Sequence, residues 1–181
     1  MSQTLENSDS SMAAIMSYDK AKIEENIKDC QIANYNSYNQ IVITGKDKDI
    51  QNNIDYFTAD GAKCIKLNVS GAFHSKLLEN ANELLKEELL KHKYEDETVP
   101  IYYNYTGKTK DRDYIELLTK QLYNPVQFIT TIENMLNDGI ENFYVIGVGN
   151  APRMFIKNIA DKNGKKVKIK CIQYLKDIEE I

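Results

Sequence analysis

The chain has no tryptophan, three prolines, eight glycines, three cysteines and two histidines among 181 residues. Little proline and glycine excludes a collagen-like chain or a disordered one driven by those residues. Cys30, Cys64 and Cys171 are odd in number, widely separated and outside any Cys-x-x-Cys pair, so neither a disulfide framework nor a zinc site is indicated. No apolar run approaches the roughly 20 residues of a membrane span, and the first ten residues are polar and acidic rather than signal-like. The expected setting is the reducing cytosol, with no membrane. A net charge of −4 lacks the broad positive field that nucleic-acid binding needs, so no nucleic-acid partner is expected.

What remains is ordinary: 42% hydrophobic and 28% charged residues, in a length suited to one domain or two small subdomains. Ser11 to Ser17 is a short apolar run followed by Asp19 to Ile27, where Ala21, Ile23 and Ile27 suit an amphipathic helix. Gln31 to Tyr35 and Gln40 to Thr44 predict two strands joined by the turn Asn36 to Asn39. Asp47 can cap a helix to about Asp60, Gly61 can stop it, and Ala62 to Val69 returns as a strand. The order βαββαβ is the split βαβ or ferredoxin-like unit.

Beyond Val69 the pattern predicts an α/β region. Ser75 can cap a long helix with its stripe on Leu78, Ala81, Leu85 and Leu89. Pro100 to Tyr105 predicts a strand, Asp111 to Leu122 and Gln127 to Asp138 two helices, and Asn142 to Gly147 another strand. Pro152 can open a further helix before a last strand at Val167 to Ile172. The expected division is residues 1–69 and residues 70–181.

Imidazole chemistry is confined to His74 and His92. His92 lies among Lys91, Lys93 and Tyr94 at a helix end and reads as a solvated residue. His74 follows a strand, in a turn leading to a helix, where ligands of α/β proteins commonly bind. The turn Gly147-Val-Gly149 could bring backbone N–H groups to an anion, although two glycines before a helix more often make a tight strand-to-helix turn. Arg112 and Arg153, the only arginines, are not placed by their contexts.

Four segments in order, Asn34-Tyr-Asn-Ser37, Gly71-Ala-Phe-His-Ser75, Gln121-Leu-Tyr-Asn-Pro-Val126 and Gly147-Val-Gly149, resemble the malonyl-CoA:acyl carrier protein transacylases of fatty acid and polyketide synthesis, from about Ser11 to Ile159. The resemblance implies a ferredoxin-like subdomain followed by the C-terminal part of an α/β-hydrolase-like acyltransferase domain. It also implies malonyl-CoA as substrate, acyl carrier protein as partner and no permanently bound cofactor or metal. Such enzymes form a malonyl ester on serine and pass it to the phosphopantetheine thiol of the carrier, with a histidine as acid and base. His74 matches that histidine, Gln121 the position whose carbonyl orients it, and Phe73 the bulky residue associated with malonyl selection.

The family's Gly-His-Ser-Leu-Gly elbow and its Gly-Gln-Gly turn are absent, and no Gly-x-Ser-x-Gly occurs. Ser70 and Ser75 flank His74 too closely to replace the elbow, so no nucleophile is assigned. The family arginine that pairs with the malonyl carboxylate lies upstream, a few residues before a methionine at about which Met1 falls, and the expectation is a C-terminal portion that needs a missing N-terminal half to act. The alternatives are a non-catalytic module that docks an acidic carrier through Lys63, Lys66, Lys162, Lys165 and Lys166, or an inactive fragment with exposed sheet edges and helix faces.

Overall fold

The computed structural model describes residues 9–110 and 113–178. The first part is β1 (Ser10–Met16), α1 (Lys20–Asn26), β2 (Gln31–Ser37), β3 (Gln40–Lys46), α2 (Asp47–Ala59) and β4 (Lys63–Lys66). The strands form an antiparallel sheet in the order β2-β3-β1-β4, which is the ferredoxin-like order expected from the sequence.

The side-chain alternation of β1 explains its uninterrupted apolar run. Ala13 and Ile15 join Ile41, Ile43, Ile23, Ile50 and Phe57 in the core under the two helices. Met12 and Ala14 point to the opposite face, where they meet Ala33, Val42, Leu67 and Phe73. Both faces of this central strand are therefore covered, and the side chains of both registers are buried, Ser10 and Ser11 at its start included. Asp19 caps α1 by accepting from the backbone N–H groups of Ala21 and Lys22. Asp47 does not cap α2; it is the first helical residue, its carboxylate 2.9 Å from Lys66 Nζ, and Lys46 stands at the cap position. Gly61 ends α2 with φ +92°, and Ala62 N–H donates back to Phe57 O.

The second part contains α3 (Ala81–Leu89), α4 (Tyr114–Lys120), α5 (Phe128–Asn137), β5 (Asn142–Ile146), α6 (Ala151–Lys162) and β6 (Lys168–Ile172). Strands β5 and β6 pair in parallel with α6 between them. Phe143 and the apolar stripes of α5 and α6 (Ile129, Ile132, Leu136, Ile156, Ile159) make a second core, against which Tyr35 and Tyr38 of the first part also pack. The two parts are further joined by a parallel bridge between Asn34 and Val126.

Three expectations are corrected. Ser75 caps only a 3-10 turn, Lys76–Leu78, and the helix restarts at Ala81, so the expected continuous helix is broken. Of its stripe Leu78 and Ala81 are buried, whereas Leu85 and Leu89 are half-buried. The strand after Gly61 is short, ending at Lys66. Pro100 to Tyr105 is not a strand: Tyr103 N–H donates to Lys108 O, Gly107 N–H donates to Tyr103 O, and the Tyr102 and Tyr103 hydroxyls donate to Asp138 and Glu97. Tyrosine-rich alternation makes a strand only where a sheet edge is available, and here the phenols tie the segment down as a loop. The expected helix start at Asp111, and Arg112, lie outside the described residues, as does the stretch before Asp9; α4 is described from Tyr114, capped by Asp113.

Candidate active site

The turn carrying His74 is pinned at three points. Ala72 N–H donates to Ser10 Oγ at 3.1 Å, Ser75 Oγ donates to Ala72 O at 2.7 Å, and Lys76 N–H donates to Gln31 Oε1 at 3.0 Å. His74 itself has φ +53°, a left-handed conformation uncommon for a residue with a Cβ. Such a conformation persists only where surrounding contacts over-determine it, and it singles out the residue as a functional candidate.

The opposite wall is built from the Gln121 to Val126 segment. Gln121 caps α4 at its C-terminal end, where carbonyls lack helical partners. Its main-chain oxygen lies 2.8 Å from His74 Nδ1. Asn124 Nδ2 donates to Lys120 O, and Val126 exchanges hydrogen bonds with the backbone of Ala33 and Tyr35. The segments Asn34 to Ser37, Gly71 to Ser75 and Gln121 to Val126 therefore meet, one resting on the next.

A carbonyl oxygen can only accept, so Nδ1 of His74 carries the proton and the Nε2 lone pair is the basic one. The ring opens on a cleft of about 400 Å³ lined also by Tyr35, Lys76, Glu79, Tyr123 and Pro125. Burial, with help from Glu24, pushes the Tyr35 phenol up to about 12, so it stays a neutral donor. Tyr35 and Tyr123 are cleft walls that the sequence did not assign, although each lies inside a segment that carries the resemblance, Asn34 to Ser37 and Gln121 to Val126.

Ser75 is buried and its hydroxyl is engaged twice, donating to Ala72 O and accepting from Leu77 N–H, so it serves the turn rather than attack. Ser70 is exposed on the segment before that turn. Phe73 is half-buried, packed between the Met12, Ala14 and Val42 cluster and the Leu78 and Ala81 pair. The Gly147 to Gly149 turn adopts positive φ at both glycines and leaves Val148 96% exposed at the end of β5. His92 is exposed and 3.8 Å from Glu88.

A second cleft, of about 430 Å³, lies beside α6 and the turn into β6. Arg153, Lys157, Lys165 and Lys166 line it with Asp161, which pairs with Lys157 at 3.2 Å. Of the lysines named from the sequence, Lys165 and Lys166 are here, while Lys66 is paired with Asp47. Among the described residues no helix is long and apolar enough to cross a membrane, and no group of His, Cys, Asp and Glu could hold a metal ion.

No family model matches the chain. It is 34% identical over 169 residues to the malonyl CoA-acyl carrier protein transacylase of Bacillus subtilis, a match covering 88% of this chain and 53% of that protein. The crystal structure of the transacylase of the same name from Clostridium perfringens superposes with a TM-score of 0.90 at 31% identity, covering 99% of this chain and 58% of that one. A malonyl-transacylase solved in complex with its type II polyketide acyl-carrier protein superposes with a TM-score of 0.88 at 23% identity, covering 98% and 60%. The chain thus spans between half and two thirds of the length of these proteins.

Proposed function

This chain is related to the malonyl-CoA:acyl carrier protein transacylases along nearly its whole length, and we propose that it supplies the acid-base half of malonyl transfer from coenzyme A to the phosphopantetheine thiol of acyl carrier protein. In this reading residues 1–69 form the small subdomain and residues 70–181 part of the catalytic domain, and the serine nucleophile comes from polypeptide outside the chain.

His74 Nε2 takes the serine proton as the oxygen attacks the malonyl thioester carbonyl. The resulting imidazolium gives that proton to the departing coenzyme A thiolate. In the second half Nε2 removes the proton of the carrier's thiol, whose sulfur attacks the serine ester, and returns a proton to the serine oxygen. Both halves need one fixed tautomer and an imidazolium that is stabilised when it forms. The single observation that supports this is the 2.8 Å contact from His74 Nδ1 to Gln121 O, which holds the ring as a third group does in a catalytic triad. Phe73, beside His74 and half-buried, is proposed to bound the acyl group.

The test is to incubate the chain with radiolabelled malonyl-CoA, alone and together with the part of a related transacylase that lies outside the match. Label transfer to carrier protein only in the mixture, lost with His74→Ala, is the expected result. A stable malonyl ester on the chain alone would overturn the external nucleophile.

A second reading is a carrier-docking module without chemistry. It is favoured by the basic cleft of Arg153, Lys157, Lys165 and Lys166, complementary to an acidic carrier. Titration of the chain with carrier protein by NMR distinguishes it: shifts at these residues, without transfer in the mixture, would establish docking alone.

A further inference from the structure

Helix α6 and strand β6 enclose a groove that shares no residue with the His74 cleft. Arg153, Lys157 and Asp161 recur at every fourth residue of α6 and so form one row along the helix. At about 1.5 Å per residue, that row is roughly 12 Å long. Lys165, Lys166, Val167 and Ile169 make the facing side. Four cationic side chains stand here against one carboxylate, in a chain whose net charge is −4. Asp161 pairs with Lys157 at 3.2 Å, and among the described residues no ion pair engages Arg153, Lys165 or Lys166.

The floor of this groove is a sheet edge. Lys168 N–H donates to Glu141 O and Ile172 O accepts from Gly147 N–H, so the even-numbered residues of β6 turn their main chain toward β5. Ile169 and Cys171 alternate with them and turn theirs outward. Among the described residues β6 pairs with β5 alone, so these outward groups have no strand partner. The side chains of Val167 and Ile169 pack against the core beneath α6, which makes the floor apolar between the cations.

Lysines beside an open edge oppose pairing with a second copy of the same strand, and they attract an extended chain of opposite charge. We propose that the groove is a docking site for an acidic peptide in extended conformation, which adds a strand to the outer edge of β6 and sets its carboxylates against Arg153, Lys165 and Lys166. The row on α6 matches about four residues of such a strand at roughly 3.3 Å each. Main-chain hydrogen bonds to Ile169 and Cys171 supply affinity, and the cations select the charge. A folded acidic carrier would meet the cations but leave the two main-chain positions unused. Because the groove and the His74 cleft have no residue in common, the proposal does not depend on the transacylase reading.

The test is fluorescence anisotropy of the full chain with labelled, end-capped peptides in which glutamate alternates with valine, lysine replaces the glutamate, or every amide of the glutamate peptide is N-methylated. The glutamate peptide is expected to bind and to slow hydrogen exchange at the Ile169 and Cys171 amides. The N-methylated peptide keeps the charge but cannot donate to a ladder, so its binding should be at least ~10-fold weaker. Lys165→Glu combined with Lys166→Glu, in the exposed turn before β6, should weaken the glutamate peptide by at least ~10-fold with the fold intact by circular dichroism. Salt at about 1 M, where the screening length is about 3 Å, should weaken it in the parent chain, a measurement that needs no variant. Equal affinity for the N-methylated or the lysine peptide, or no protection at Ile169 and Cys171, would overturn the proposal. Binding of folded carrier protein at these cations, with no binding of the peptide, would overturn it in favour of carrier docking.

Discussion

His74 Nδ1 lies 2.8 Å from the main-chain oxygen of Gln121, a residue 47 positions away in the chain. The contact fixes which ring nitrogen is basic. In the complemented enzyme His74→Ala should lower malonyl transfer by roughly 10²–10⁴-fold, the usual worth of a positioned acid-base group. Single-turnover transfer of labelled malonyl to carrier protein measures it, and a change of less than tenfold would remove His74 from the mechanism.

The partner of His74 is backbone, not side chain, and this predicts an asymmetry. Gln121→Ala deletes only the 3.4 Å hydrogen bond that Gln121 Oε1 accepts from Asn104. Transfer should stay within a few-fold of the parent, as for a substitution worth about 0.5 kcal/mol. A loss comparable to His74→Ala would show that the amide side chain, rather than the carbonyl, does the orienting.

Gly107 has no room for a side chain. Its φ is +67°, and a Cβ there would stand 2.8 Å from Thr130 Cβ. Its carbonyl also accepts from Asn134 Nδ2. Gly107→Ala should destabilise the chain by about 1–3 kcal/mol, the range for a side chain forced into strained backbone, measured as a lowered urea midpoint.

Phe73 links the apolar face of the first sheet to Leu78 and Ala81. Phe73→Ala should destabilise by about 3 kcal/mol, as large-to-small changes in apolar clusters do. Phe73→Leu keeps most of the volume and should cost less than about 1.5 kcal/mol. If Phe73 bounds the acyl group, the leucine variant of the complemented enzyme should accept methylmalonyl-CoA better relative to malonyl-CoA; an unchanged ratio would leave Phe73 a packing residue only.

Burial pushes the Cys30 thiol from 9.0 up to about 11, with the carboxylates of Asp49 and Asp29 adding to it. The neutral thiol is the form the fold favours. Its contribution to stability is therefore complete below pH 9, its unfolded value, and is lost as the pH rises through about 11. At pH 8 native Cys30 should react with iodoacetamide roughly 100-fold more slowly than in the unfolded chain, in proportion to its thiolate. Equal rates would contradict the half-buried placement.

Much of the architecture was legible in local pattern. The spacing of Ala21, Ile23 and Ile27, the stop at Gly61 and the short runs of β2 and β3 joined by a turn are instructions that neighbouring residues carry out together, so βαββαβ could be read without the fold. The segment Pro100 to Tyr105 shows the opposite case. Its tyrosines have strand propensity, but the partners that decide its shape are Glu97, Lys108 and Asp138, and the last belongs to another element. The break between Leu78 and Ala81 was equally hidden, because the 3-10 turn answers to Gln31, to which Lys76 N–H donates, and to the packing of Leu78.

The sequence by itself determined which residues could do chemistry, since only two histidines exist and one sits in a strand-to-helix turn. It also determined the strands of the first sheet, because short apolar runs bounded by turn residues are a property of adjacent residues. Only the tertiary structure decided which nitrogen of His74 is the base, that the serine beside it is spent on the turn, and that β6 keeps an open edge beside a row of cations. Each of these depends on a contact, or on the lack of one, between segments that only chain closure brings to the same place.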